Sequence, residues 1–265
     1  MRFPWANGGA RAISHIKDWL DDLRIATALL TRIPMPHPDG PHPPYLARAH
    51  RVFPLIAAAI GAAVGLIYLA LLATGIPPLA AAALALGASA LLTGALHEDG
   101  LADLADGFGG GRDKAAKLEI MRDSRLGTYG ALILLVSFTA KMAALAALPP
   151  AAVIPGLIAA HALARGALPV LATIVPNARS DGLATSAGRV EPLVATTAAA
   201  LALVIALLCL SPGEALMALT AVALGATLIA LLAKRQIGGM TGDVFGGAEQ
   251  VGETAVLLVL AARFA

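Results

Sequence analysis

The chain has 265 residues, of which 58% are hydrophobic and only 14% charged, with a net charge of +2 and mean hydropathy +0.78. Soluble domains carry about 25% charged residues, so the composition argues against a soluble globular protein and for one that meets lipid. The lone cysteine, Cys209, excludes an intrachain disulfide and a metal-thiolate site.

Residues 1–24 hold Arg2, Arg11, Lys17, Asp18, Asp21, Asp22 and Arg24 and no uninterrupted apolar core. They do not read as a cleaved signal peptide. Residues 16–33 place Ile16, Leu20, Leu23, Ile25, Leu29 and Leu30 at helical spacing behind a charged first half. An interfacial amphipathic helix is expected there. Thr31-Arg32-Ile33-Pro34-Met35-Pro36 follows, then a Pro/His-rich loop to Pro44 in which regular helix is forbidden. His37 and His42 read as surface loop residues rather than metal ligands. Residues 1–52 are thus expected to form a cytoplasmic N-terminal segment, ahead of a single transmembrane catalytic domain over 53–265.

Seven segments then look long and apolar enough to cross a bilayer, at roughly 20 residues each. They are 53–74, 77–97, 127–148, 151–175, 192–211, 214–233 and 247–264. Leu and Ala dominate and alternation is absent, so the expected fold is all-α, a polytopic helical bundle rather than a barrel. Gly61, Gly65, Gly87, Gly94 and Gly225 suit close helix approach in lipid. With the N-terminus inside, sixteen of the 19 Lys and Arg fall in 1–52, 98–126, 176–191 and 234–246, and the short outer turns hold none. That is the positive-inside pattern, giving a cytoplasmic N-terminus, a periplasmic C-terminus and an active face on the cytoplasmic side.

The strongest chemical signal is His97-Glu98-Asp99-Gly100-Leu101-Ala102-Asp103-Leu104-Ala105-Asp106-Gly107. Asp99, Asp103 and Asp106 stand at i, i+4 and i+7, one face of a helix. Carboxylates stacked this way repel one another at a membrane edge, and Mg²⁺ or Mn²⁺ would remove the conflict. A solvated acidic helix start accounts for one or two of the three. The Gly107–Gly111 run would let backbone N–H groups approach a ligand. The basic and acidic residues after it (Arg112, Lys114, Lys117, Glu119, Arg122, Asp123, Ser124, Arg125) fit a shared polyphosphate.

Arg165, with His161 at i−4, lies inside a span, where an Arg is costly and by default functional, unless it snorkels to the cytoplasmic edge. Arg179, Asp181 and Gly182 follow in the next loop. Asp243 sits in Gly238-Gly239-Met240-Thr241-Gly242-Asp243-Val244-Phe245-Gly246, either completing the metal site or capping a helix, with Glu249 and Glu253 entering the last span. No nucleophile–base pair, Walker sequence, dinucleotide fingerprint or nucleic-acid module is present. What remains is direct displacement at phosphorus, with protein and metal positioning the reactants.

The run from Thr93-Gly94 through Gly107, then Ile120-Met-Arg122-Asp123-Ser124-Arg125-x-Gly127-Thr-Tyr129-Gly130, closely resembles the cobalamin synthase family, adenosylcobinamide-GDP ribazoletransferase (CobS). Thr31–Pro36, Arg51-x-Phe53-Pro54 and Gly238–Gly246 resemble that family in the same order, so the likeness covers about residues 22–260. It implies the last assembly step of vitamin B12 in the bacterial inner membrane. Adenosylcobinamide-GDP would be joined to α-ribazole or its 5′-phosphate, with Mg²⁺, releasing GMP. Asp99, Asp103 and Asp106 would hold Mg²⁺ on the diphosphate. Arg122 and Arg125, with Arg165, would balance phosphate charge, and Asp243 would ligate metal or take the attacking proton. Arg32, His97, Gly109, Gly110, Lys117, Asp123, Ser124 and Arg179 complete the candidate substrate contacts. The resemblance also allows a homo-oligomer or an association with other corrinoid-assembly enzymes.

Two rivals differ in what they require. A CDP-alcohol phosphotransferase expects Ala-Arg after its first Asp-Gly and a further spaced Asp pair, whereas here Ala102 is followed by Asp103. A cation-coupled transporter would line several helices with acids near the midplane, in repeats; here the acids gather toward one face.

Overall fold

The computed structural model describes residues 6–36, 45–182 and 188–264, and His37 and His42 lie outside them. The described chain is helical: α1 (Ala6–Leu30), α2 (Tyr45–Ala49), a 3₁₀ turn His50–Val52, α3 (Phe53–Ala73), α4 (Pro78–Thr93), α5 (Leu96–Gly110), α6 (Lys114–Ile120), α7 (Thr128–Ala147), α8 (Pro150–Ile174), α9 (Pro192–Cys209), α10 (Pro212–Gln236) and α11 (Gly242–Ala261). Proline stands in the first turn of α3, α4, α8, α9 and α10. There it breaks no intrahelical bond and its fixed φ starts the helix.

Six helices are long and apolar enough to cross a membrane: 46–73 as one continuous unit, then α7, α8, α9, α10 and α11. A seventh arises only if the bent pair α4–α5 is taken as one span. The expected span 77–97 is met only as the first half of that bent pair. Helix α4 stops at Thr93, and Gly94 (φ 69°) and Ala95 (φ 55°) are both left-handed. The chain leaves in α5 at 93° to α4. A 16-residue helix is roughly 24 Å long, short of a hydrocarbon core of about 30 Å. Helix α5 is not among the six helices that are long and apolar enough to cross by themselves. The expected active-site loop 98–126 is likewise mostly helix, α5 and α6.

Helix α8 is the axis of the bundle, packed by α3, α9, α10 and α11. Helix α3 approaches it through Gly61 and Gly65: a Cβ at Gly61 would lie 2.5 Å from the Leu157 carbonyl oxygen, and one at Gly65 2.9 Å from Ile154 Cγ1. Lipid supplies no hydrophobic drive between helices, so such contact is what holds them. Gly225 does the same against Val251, Gly87 meets nothing, and Gly94 serves the turn instead. Leu91, Leu135, Leu208 and Leu224 point outward, as lipid-facing residues should.

Helix α1 begins earlier than the expected residue 16 and is locked to the base of α3. Asp22, fully buried, accepts from Arg48 Nε (2.9 Å) and Arg51 Nε (2.6 Å), and Arg51 lies over the Trp19 ring at 4.2 Å.

Candidate active site

Two glycines decide the site. Helices α5 and α11 touch at Gly100 and Gly246, where a Cβ on Gly246 would sit 3.0 Å from Gly100 Cα and 3.0 Å from the His97 carbonyl oxygen. This closeness sets Asp99 and Asp103 of α5 beside Asp243, in the first turn of α11. Thr241 caps α11, its hydroxyl accepting from Val244 N–H at 3.3 Å and donating to Asp243 Oδ2 at 3.1 Å. The cap is thus Thr241, which leaves the Asp243 carboxylate for other work.

The adjoining loops are joined backbone to backbone. Met240 N–H donates to Pro176 O and Ala178 N–H to Met240 O, both at 2.8 Å. That pairing brings Arg179 to Asp243, Nη2 to Oδ2 3.2 Å. Asp103 is raised to about 7, first by burial and then by the charges of Asp99, Asp243 and Asp106. Like charges in one place disfavour ionisation. A cavity of about 680 Å³ opens here, with Asp99, Asp243, Arg179 and His97 in its wall.

The other expected site residues divide by position. Asp106 is buried, and its two oxygens accept the N–H groups of Gly127 (2.8 Å) and Gly130 (2.9 Å) at the start of α7. It caps α7 from a distance. Gly109 and Gly110 belong to the last turn of α5, not to an open loop. The face of Gly109 is covered by the Tyr129 ring, and Ile120 lies 3.3 Å from a Cβ at Gly110. Their smallness serves packing.

Lys117 donates to Gln236 at the end of α10. Arg122 makes a two-pronged contact with Asp181, both distances 2.7 Å, tying the loop after α6 to the loop after α8. Arg125 pairs with Asp123 and is exposed, as is Ser124. Arg32 lies against Gly94 at the α4–α5 corner, its backbone N–H on Leu92 O at 2.7 Å. None of these lines the cavity.

Of the two alternatives for Arg165, the structure removes one. The side chain does not snorkel: it is 2% exposed, with Nη1 2.6 Å from Glu249 Oε1 and 3.2 Å from Glu253 Oε2. Lys141 of α7 adds bonds to Glu253 Oε1 (3.0 Å) and Gln250 Oε1 (2.6 Å), and His161 Nδ1 lies 3.0 Å from Glu253. Lys141, Glu249, Glu253 and His161 were visible in the sequence as polar residues within or entering spans. Their partnership was not, because it joins α7, α8 and α11 across more than eighty residues of chain. His97 links this cluster to the cavity, its Nδ1 3.6 Å from Glu249 Oε2 and 3.4 Å from Arg165 Nη2.

With this geometry fixed, comparison with known proteins gives the family. A family model described as cobalamin-5-phosphate synthase (CobS) matches residues 22–261. The chain belongs to that family. A Bradyrhizobium diazoefficiens protein named adenosylcobinamide-GDP ribazoletransferase is 46% identical over 252 residues, 93% of this chain and 95% of its own length. Namesakes from Mesorhizobium japonicum and Azorhizobium caulinodans are each 43% identical, covering 91% and 90% of this chain and 92% and 94% of their own. No solved structure matches the chain significantly.

For a CobS chain the metal question turns on donors. Among the described residues only His161, Glu249 and Glu253 bring three candidate ligand atoms within 4.8 Å of one another. Arg165 and Lys141 already neutralise those two glutamates, so that set is an ionic tie. Asp99, Asp103 and Asp243 stand further apart, as like charges do, and Arg179 is the cation near Asp243. All-carboxylate donors around a cavity fit Mg²⁺, which keeps few protein ligands and takes the rest of its shell from water and phosphate.

Proposed function

We propose that the chain is an adenosylcobinamide-GDP ribazoletransferase of the bacterial inner membrane, working at its cytoplasmic face. The observation that carries the reading is the meeting of Asp99 and Asp243 in the wall of a substrate-sized cavity, with Asp103 beside them, in a chain of the CobS family. The sidedness rests on the Lys and Arg distribution, which is concentrated in the segments that flank this cavity.

In the reaction, a ribose hydroxyl of α-ribazole, or of its 5′-phosphate, attacks the phosphorus attached to cobinamide. A new O–P bond forms, the P–O bond to GMP breaks, and the hydroxyl proton passes to a carboxylate and on to solvent. Asp243 is the acceptor placed for that proton: it lines the cavity, its capping duty is taken by Thr241, and Arg179 holds its orientation. Asp99 and Asp103 would hold Mg²⁺ with Asp243. When bound, the ion supplies charge neutralisation on the diphosphate and on the departing GMP. Arg122 and Arg125, exposed on the loop after α6 and paired with Asp181 and Asp123, would meet a large donor arriving from solution.

The test is to incubate the detergent-purified protein with adenosylcobinamide-GDP and α-ribazole or its 5′-phosphate, with and without Mg²⁺. GMP and the corrinoid product are followed by chromatography. Equimolar, Mg²⁺-dependent release is expected. A folded protein giving no product with either acceptor would overturn the assignment.

A further inference from the structure

The cavity has a side that phosphoryl transfer leaves unexplained. Its acidic wall comes from α5, the start of α11 and the Arg179 loop. Thr173, Asn177 and Arg189 add polar groups, and the remaining side comes from elsewhere in the chain: Leu29 and Leu30 of α1, Leu46 of α2, His50 and Phe53, and Leu168 and Ala172 of α8. Leu30 and Phe53 belong to the main apolar core, so this wall is rigid. The His50 and Phe53 rings stack with centroids 4.3 Å apart and planes 25° from parallel. His50 Nδ1 is 2.7 Å from the Leu46 carbonyl oxygen. A carbonyl only accepts, so Nδ1 carries the proton and the ring is held in place.

Such a wall suits a flat, weakly polar aromatic group. Apolar area buried there is worth roughly 25 cal/mol per Å², and aromatic faces add to it. Against this leucine side a guanine fares worse, because its several donors and acceptors would lose water there without finding partners. At about 680 Å³ the cavity matches small-ligand sites of roughly 300–1,000 Å³. One nucleoside or nucleotide fits. A nucleotide-linked corrin macrocycle does not, and it must present only its diphosphate to the acidic wall.

We propose that this cavity is the acceptor seat, taking the bicyclic base of α-ribazole against the α1 leucines and the His50–Phe53 pair, with the ribose toward Asp99 and Asp243. The inference rests on the reaction proposed above and adds which substrate is enclosed. It also gives α1 a function. The helix locked to α3 through Asp22, Arg48 and Arg51 is one wall of the binding site rather than only a membrane anchor.

The test uses two variants in the full-length protein. Ala172→Phe fills the cavity from α8, and Phe53→Leu keeps apolar volume while removing the aromatic face. For Ala172→Phe the acceptor KM should rise at least about tenfold, as crowding in an apolar pocket does, while the KM for adenosylcobinamide-GDP stays within about twofold. Phe53→Leu should move the same constant by a smaller factor. A rise in donor KM instead, or no change in either constant in a protein of unaltered melting temperature, would overturn the proposal. Should the wild type catalyse no transfer at all, the reaction itself fails. Calorimetric titration of α-ribazole into the protein still decides the seat: binding that Ala172→Phe abolishes supports it, and absence of wild-type binding overturns it.

Discussion

Helix α11 contributes to two acidic regions a few residues apart, one shared with α5 at the cavity and one with α7 and α8 in the bundle interior, and the regions have opposite electrostatic designs. Toward the bundle interior, Glu249 and Glu253 are matched by Arg165 and Lys141, with Gln250 and His161 filling remaining bonds. At the cavity, Asp99 and Asp243 with the neighbouring Asp103 have one ion pair among the described residues, Arg179 to Asp243, and Asp103 is pushed up to about 7. In low dielectric a charge must be matched or neutralised. The matched set is a structural tie, and the unmatched set is where we propose that a cation and a diphosphate bind. The position of the acids along the sequence does not separate these roles; the location of the arginines and lysines does.

That contrast can be attacked directly. Asp103→Asn removes a carboxylate from the unmatched set, and turnover should fall by a factor on the order of 10²–10³ or more, as for loss of one charge-stabilising group. Its melting temperature in detergent should hold or rise, since a repulsion is relieved; an active Asp103→Asn protein would end the metal assignment.

Arg165→Met does the reverse in the matched set. It leaves Glu249 and Glu253 with Lys141 alone, and stability should drop by about 3–5 kcal/mol. Adding Glu249→Gln should return much of that loss, because the double variant restores neutrality. Equal instability of the single and double variants, measured by thermal melts, would show that the cluster is not an ionic tie.

Asp106→Asn tests which group Asp106 belongs to. With one oxygen replaced by an amide, one of the N–H groups of Gly127 and Gly130 loses its acceptor, for about 1–2 kcal/mol. Catalysis should weaken far less than in Asp103→Asn. A loss as deep as that of Asp103→Asn, with stability unchanged, would return Asp106 to the metal set.

The smallest effect is in pH. Asp103 is raised from 3.8 to about 7 in the metal-free protein. Between those values the folded state holds a proton that the unfolded state has released, so metal-free stability declines as pH rises through that window. Mg²⁺ must displace the proton, so the half-saturating Mg²⁺ concentration should climb as pH falls below about 7, by up to about tenfold per unit. A flat Mg²⁺ requirement from pH 6 to 8 would contradict the raised Asp103.

Much of this was legible in advance. Long Leu/Ala runs can bury their backbone in lipid only as helices, so the all-α membrane bundle follows from composition and span length. The i, i+4, i+7 spacing of Asp99, Asp103 and Asp106 follows from helical period alone. The 93° corner was not legible, because a Thr-Gly-Ala-Leu step continues a hydrophobic run as readily as it breaks one. Nor was the division of labour among the three aspartates, which depends on Gly127 and Gly130 returning from the next helix to occupy Asp106.

The sequence by itself determined the class of molecule, the helix that carries the acids and the family, because these rest on local period, hydropathy and uninterrupted motifs. Only the tertiary structure decided that Asp243 meets Asp99 and Asp103 through the Gly100–Gly246 contact, that Arg165 is matched within the bundle, and that α1 and Phe53 wall the cavity. Each of these depends on the distance between groups far apart in the chain. Charge and shape act through that distance, and a one-dimensional pattern does not contain it.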